Sequence, residues 1–353
     1  MITKTNIMAL FMERQHFINK ANPKSYAKIF RMMSPVSTLY WTRPGDPPLL
    51  AHRASFNDLQ DNDKKRSRRE IVKGRFQKGG VGYIYADEWE LYAGLYRVDL
   101  GKITKQEYEI LNLLEHEGSM NIHELKAVTG LYVKDLTPIL HRLQQAFKIF
   151  EDQRDREWDR NWYAFENEYP EVDIKHYSRI EALKIVLLRF AYMHVSFSLE
   201  MAKSFYQLAK AEISQAIEEL IEEDMVVAIE LNNAKEYMSK VDYEYLTSHN
   251  LLDMPPSVIM LHRSDFLVKS RELELKNRFK DKDHGLLYYL LIDGEFKGAL
   301  FGRFTFGPTE LKVLKLNLPA DEIDKRKTEI YDAIYQDDLN PLDNPLLNVI
   351  QNQ

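Results

Sequence analysis

Residues 101–172 and 173–248 share one order of local signals, and that recurrence constrains the fold more than any other feature. In the first stretch, "TKQEYEILNLLEHEG" predicts a helix opened by Thr104, with Glu107 at capping-box spacing, and stopped by Gly118. "NIHELKAVTG" predicts a short helix ending at Gly130, and "VKDLTPILHRLQQAFKIF" a third helix running into the hairpin "EDQRDREWDRNWYAFENEYP". Ile110, Leu113 and Leu114 mark the apolar face of the first helix; Ile139, Leu140 and Leu143 mark that of the third. The second stretch gives "IEALKIVLLRFAYMH", "SLEMAKSFYQL", "AKAEISQAIEELIEED" and then "MVVAIELNNAKEYMSKV", a hairpin turning at Asn232–Asn233. Helix, short helix, turn, helix and hairpin is the plan of a winged helix-turn-helix. The pattern repeats; the residues do not.

The flanks differ from this core. Residues 1–100 open with two short helices, about 5–19 and 24–33, with Asn22 and Pro23 suited to the cap and first turn of the second. A Pro- and Gly-rich stretch, "TRPGDPPLL", a charged stretch and two β-prone runs around "QKGG" follow, predicting a hairpin. From residue 249 strands dominate, and "LLYYLLI" and "FKGALFGRFTF" around Asp293-Gly294 predict a second hairpin. The expected class is α+β: tandem winged helix-turn-helix units followed by a small β-barrel-like domain. The expected segments are a winged-helix-like 1–100 with a basic loop, winged helices at 101–172 and 173–248, a barrel-like 249–319, and a C-terminal helix and tail at 320–353. The last helix, "ADEIDKRKTEIYDAIYQDDL", is charged enough to be expected on the outside.

Composition narrows the chemistry. The chain has 353 residues, 44% apolar and 29% charged, and no cysteine, which excludes disulfides, thiolate nucleophiles and cysteine-ligated zinc or iron–sulfur centres. The opening "MITKTNIMALFMERQHF" lacks a signal-peptide pattern, and the run 182–195 is too short and too charged to span a bilayer, so a cytoplasmic protein without membrane contact is expected. The ten histidines form no HxH or HExxH pattern, and His116 and His123 lie across a helix end, so neither a metal site nor a cofactor is expected. "GGVG" at 79–82 sits in a hairpin turn without a following Lys-Ser/Thr pair, and no GxSxG occurs.

Charge is distributed unevenly. The net charge is −6, yet residues 1–100 carry 17 Lys/Arg against 10 Asp/Glu, a balance of +7, leaving −13 for the remainder. The densest run, "KKRSRREIVKGRFQK", holds Lys64, Lys65, Arg66, Arg68, Arg69, Lys73, Arg75 and Lys78 with one acid, and the aromatics Phe56, before it, and Phe76, near its end, accompany it. A solvated loop and a loop that tracks phosphates are both open readings, and the adjoining helix-turn-helix patterns favour contact with double-stranded DNA. Lys134, His141, Arg142, Arg154, Arg156 and Arg160 add cations to the first unit, diluted by Asp152, Asp155, Glu157 and Asp159. The second unit ends its third helix in "IEELIEED", which repels phosphate and reads as scaffold.

"VIMLHRSDFLVKSRELELKNRF" followed by "GLLYYLLIDGEFKGALFGR" resembles the late segment of the winged-helix DNA glycosylase family typified by AlkZ and YcaQ, through Asp265, Arg271, Ile292, Asp293, Gly294 and Gly298. "MMSPVSTLYWTRPG" after two helices is similar to that family's opening. The resemblance implies three winged helices and a β-barrel in a C-shaped clamp around DNA, acting on N-alkylated or crosslinked bases. It also implies a glutamine-x-glutamine or glutamine-x-aspartate motif, whose polar side chain positions the attacking water. Those motif positions fall on Met32 and Ser34, and shifting the frame gives Met33/Pro35, Ser34/Val36 or Pro35/Ser37. No glutamine lies between Gln15 and Gln60, and no carboxylate between Glu13 and Asp46. The expectation is a relative that binds DNA, damaged duplex included, without the excision chemistry. The alternatives are a glycosylase with a rearranged site using Asp46, His52 or Asp58, and a transcriptional or protein-binding adaptor; whether the chain is an enzyme stays open.

Overall fold

The computed structural model describes residues 2–39, 46–153, 160–231, 233–249, 254–303, 310–335 and 350–352. The chain opens with α1 (Lys4–Arg14), capped by Thr3, and α2 (Pro23–Met33), where the Asn22 side chain accepts from the amides of Lys24 and Ser25. α1 stops at Arg14, short of the expected residue 19, because His16 takes a left-handed backbone and the chain turns away. Tyr26, Ile29, Phe30 and Met33 recur at helical spacing on α2 and are all buried. α3 (Asp58–Ser67) follows, then β1 (Ile71–Phe76) and β2 (Gly80–Tyr85), an antiparallel pair around the Gln77–Gly79 turn. The basic run is therefore a helix end and a strand, not a loop. The apolar run after β2 does not continue as strand: α4 (Trp89–Tyr96) begins there, since Trp89, Tyr92 and Tyr96 all pack around Phe76.

The recurring pattern forms element by element. α5 (Lys105–His116) carries the Thr104–Glu107 capping box, α6 (Ile122–Thr129) ends on left-handed Gly130, and α7 (Val133–Gln145) leads into a sheet of β3 (Met120–Asn121), β4 (Ile149–Asp152) and β5 (Asn161–Ala164), in the order β3-β5-β4. After the turn of α8 (Phe165–Glu168), α9 (Arg179–His194), β6 (Ser196–Phe197), α10 (Leu199–Tyr206), α11 (Lys210–Glu222), β7 (Val226–Leu231) and β8 (Ala234–Ser239) repeat the order, with the sheet β6-β8-β7. The expected turn at Asn232–Asn233 lies partly outside the described residues, and Asn233 has the positive φ such a turn needs.

After α12 (Lys240–Ser248) come β9 (Val258–His262), α13 (Phe266–Ser270), α14 (Glu272–Arg278), β10 (Gly285–Ile292), β11 (Glu295–Arg303), β12 (Glu310–Leu316), α15 (Ala320–Tyr335) and β13 (Ile350–Asn352). Their strands form one open sheet ordered β13-β12-β11-β10-β9, parallel only between β12 and β13. Asp293 and Gly294 both take positive φ in the β10–β11 turn, as an Asp-Gly hairpin requires. No pairing among the described strands closes a barrel. The reason lies in the two faces of β10: Leu290 and Ile292 pack under Ile323, Ile330 and Ile334 of α15, while Tyr289 and Leu291 join the main core. A sheet buried on both faces has its apolar surface satisfied without closure. The charged C-terminal helix accordingly covers one side of the sheet through its isoleucines and is more than an outer decoration.

Among the described residues, buried side chains form three clusters. The largest runs from Ile7 through α9 to Val313, a second joins the sheet to α15, and a third is confined to Ile110–Ala164. Inside the largest cluster the Arg53 side chain is 0% exposed. Its Nη1 donates to Asp265 Oδ2 (2.7 Å) and Ala51 O (3.1 Å), and its Nη2 donates to Asp265 Oδ1 (3.1 Å) and Gln15 Oε1 (3.0 Å). Gln15 Nε2 in turn donates to Met193 O on α9 at 2.8 Å. Arg14 pairs with Asp242 in the same region. Breaking a buried bidentate pair leaves a desolvated charge behind, so Arg53→Met is expected to cost on the order of 3–5 kcal/mol. The double variant Arg53→Met/Asp265→Asn, which keeps an N-cap at α13, should cost less than the single one in denaturant unfolding.

Candidate nucleic-acid interface and the 32–37 segment

The basic run splits into two sets. Lys65 pairs with Asp61 (2.7 Å), and Arg66 with Asp63 (2.8 Å) and the Gln153 carbonyl (2.9 Å). Arg69 reaches Asp152 (3.1 Å) and Glu168, and Lys73 reaches Glu151 (2.6 Å). Arg75 donates to Gln144 (2.9 Å), Gly79 O (3.0 Å) and His141 (2.6 Å). Most of these partners belong to residues 141–168, so much of the run is a polar seam between the N-terminal segment and the following unit. Lys64, Arg68 and Lys78 remain exposed; Arg68 is 72% open and lies 3.7 Å from Glu70.

The unit 101–172 contributes less surface charge than its cations suggest. His141 faces Arg75, Arg142 pairs with Glu107 (2.6 Å) and donates to Leu100 O (2.8 Å), and Arg160 pairs with Glu151 (2.9 Å); Lys134 stays exposed. Arg154, Arg156, Asp155, Glu157 and Asp159 lie outside the described residues. Burial and the neighbouring Arg75 depress His141 to a pKa of about 4, so it meets Arg75 as a neutral acceptor. Burial alone would raise the Glu151 carboxyl, but Lys73 and Arg160 outweigh it and hold it at about 2. Burial lowers the Lys73 amine against the opposing pull of Glu151.

The 32–37 segment is mostly closed. Met32 packs against the main core, and Ser34 is 1% exposed, with its hydroxyl donating to Phe30 O (2.8 Å) and its carbonyl accepting from Tyr92 (3.0 Å). Val36 bridges Tyr83 of β2, and Pro35 lies so close to Gly82 that a Cβ there would come within 2.7 Å of Pro35 Cβ. Ser37 differs: its hydroxyl accepts from Lys269 Nζ of α13 at 2.6 Å. Gln77 Oε1, from the β1–β2 turn, lies 3.4 Å from the same nitrogen, while Gln77 Nε2 donates to Phe205 O at 2.7 Å. Burial pushes the Lys269 pKa down, opposed by the charge of Glu272. Sequence reasoning missed both Gln77 and Lys269. Gln77 sat in a turn read for its glycines, and Lys269 carried no local signal.

The three loop carboxylate and histidine candidates have separate surroundings. His52 Nε2 lies 2.8 Å from Met260 O, and Asp58 accepts from the Tyr26 hydroxyl at 2.8 Å, with burial pushing its carboxyl up. Asp46 is half-buried and its charge acts on Tyr83. Among the described residues no group of three or more His, Asp or Glu side chains could hold a metal ion, and no helix is long and apolar enough to cross a membrane.

A groove of ≈580 Å³ opens between α10 and α13–α14, its charged lining made of Lys78, Lys203, Arg271 and Lys276 with Glu200, Glu272 and Glu274, and Lys203 pairs with Glu200 and Lys276 with Glu272. Arg271 also borders a cavity of ≈390 Å³ with His194 and Arg278. Lys78 and Arg271 have no carboxylate within ion-pair distance among the described residues, which leaves their charge for a ligand.

The whole fold has a solved counterpart. DNA glycosylase AlkZ of Streptomyces sahachiroi superimposes with a TM-score of 0.68 over 100% of both chains at 13% identity. That likeness is one of fold. No protein-family model matches this chain, and comparison with curated sequences finds no significant match.

The seam has a measurable acid signature. The Glu151 pKa is depressed from an unfolded value of about 4.3, so its contribution is complete above that pH and is lost as pH falls toward about 2. We expect up to about 3 kcal/mol of wild-type stability to disappear across that window. Glu151→Gln should start less stable at neutral pH and converge with the wild type in acid; parallel denaturant curves through the window would refute this.

Proposed function

We propose that this chain is a DNA-binding protein related to the alkylation- and crosslink-repair glycosylases, without their amide- or carboxylate-based excision. The observation that carries the reading is the end-to-end likeness of fold to a DNA glycosylase combined with a 32–37 segment that presents no amide or carboxylate of its own. We read residues 101–172 and 173–248 as winged helix-turn-helix units, on the helix–helix–helix–hairpin order and the small sheets that complete each. The double-stranded DNA partner, damaged duplex included, is supported by the fold and by the free cations Lys78 and Arg271 in the groove, with Lys64 and Arg68 as outlying phosphate contacts. Within the basic run, the direct contribution to DNA falls to these exposed members; Lys65, Arg66, Arg69, Lys73 and Arg75 act by holding the seam. A cytoplasmic location accords with this reading.

Binding and excision are tested together. Fluorescence anisotropy on a duplex at several salt concentrations should give affinity that falls linearly on logarithmic axes. Lys78→Ala and Arg271→Ala should each flatten the slope by about one counterion. A duplex carrying an N7-alkylated guanine, incubated with protein and then treated with alkali, should show no enzyme-dependent cleavage. Cleavage would return the rearranged-site reading, with Asp46, His52 and Asp58 as the residues to vary. Salt-insensitive or absent binding would favour a protein-binding adaptor.

A further inference from the structure

We propose that the ≈390 Å³ cavity bordered by α1 and α14 binds a small zwitterion with an apolar body, the chemistry of a free apolar α-amino acid. The proposal is independent of the DNA-binding reading. Two helical stripes line the cavity. Lys4, Ile7, Met8 and Phe11 recur at helical spacing on α1, and Arg271, Glu274 and Arg278 do so along α14 and its cap. The end of α9 adds His194, β8 adds Glu236, and the start of β11 adds Glu295 and Phe296. The volume falls in the range of small-molecule sites, roughly 300–1,000 Å³. Glu274 and Arg278 are exposed, so the cavity opens to solvent on their side.

The buried end of the cavity is polar where packing alone would not ask for it. His194 is 4% exposed, and its ring centroid lies 4.2 Å from that of Phe190, 4.8 Å from Phe266 and 6.5 Å from Phe11. A phenyl ring would suit such a setting. The His194 Nε2 instead has no hydrogen-bond partner among the described residues, and a buried nitrogen left unmet costs stability. Burial first, then Arg271 and Arg53, push its pKa well down. The ring is therefore neutral, with one N–H and one lone pair to offer.

The charges on the lining select the ligand. Lys4 and Glu295 pair with each other. Arg271, Arg278, Glu236 and Glu274 have no opposite charge within ion-pair distance among the described residues. Arg278 meets the neutral amide of Asn317, and its charge reaches Glu295 from farther off. Unpaired charges on an open surface are ordinary. Two of each sign around one concave space, beside an unmet imidazole, complement a molecule that carries both signs. A simple anion would meet the carboxylates, and a simple cation would meet the guanidiniums. In a zwitterion the carboxylate goes to Arg271 and Arg278, and the ammonium to Glu236 and Glu274, in charge-assisted hydrogen bonds. Phe11, Leu267 and Phe296 supply apolar surface for the side chain.

Isothermal titration of the full-length protein with L-phenylalanine and with L-leucine should show saturable one-to-one binding of at least one of them. 3-Phenylpropionate, 2-phenylethylamine and inorganic phosphate each carry one kind of charge and should bind at least about tenfold more weakly. Arg278→Gln and Glu236→Gln should each weaken the amino acid by about tenfold while leaving the thermal unfolding midpoint in place. Equal binding of any single-charge compound overturns the proposal, and that wild-type comparison stands even where a variant fails to fold. Absence of saturable binding, or binding that either substitution leaves unchanged in a folded protein, overturns it as well. All of these failures leave duplex binding, read by anisotropy, untouched.

Discussion

The buried pairing of Arg53 with Asp265 is the constraint on which the arrangement depends. A guanidinium without exposure must have its donors met, and here Asp265, Gln15 and the Ala51 carbonyl meet them. Because those partners come from opposite ends of the chain, the pair brings the end of α1, the segment before α3 and the cap of α13 to one point. Gln15 extends the tie to α9 through Met193. The open sheet, the 173–248 unit and the N-terminal helices are thereby held together by a polar contact set inside an apolar core.

What the sequence made legible was local. The Thr104–Glu107 box, the Asn22-Pro23 start of α2, left-handed Gly130 and the Asp293-Gly294 hairpin depend on residues within a few positions of one another. Helix α4 was not legible, because Trp89, Tyr92 and Tyr96 suit a pleated surface as well as a helix, and their packing around Phe76 is a contact across the chain. The expected barrel failed for a related reason: alternation along β10 reports two buried faces but not what covers each.

The basic run shows the same limit for charge. Composition reports a surplus of cations, and a surplus suggests a polyanion. Residues roughly at 141–168 supply the internal acids and carbonyls, and no pattern within the run points to them. In the 32–37 segment the lack of glutamine and carboxylate was readable directly. The meeting of Ser37 with Lys269 and Gln77 was not, since the three come from separate parts of the chain. Periodicity and capping reveal elements; they do not reveal which elements touch.

The contact between Pro35 and Gly82 extends this point to a position that has no side chain at all. With no side chain at position 82, the strand lets the 35–37 segment lie flat against it, and that sets how deep Ser37 sits. A Cβ there would meet Pro35 Cβ at 2.7 Å, so a larger residue would have to displace the segment. Position 82 is thus a spacer: how closely the 35–37 segment lies on β2 is set jointly by the backbone pairing of Val36 with Tyr83 and by the absence of one methyl group.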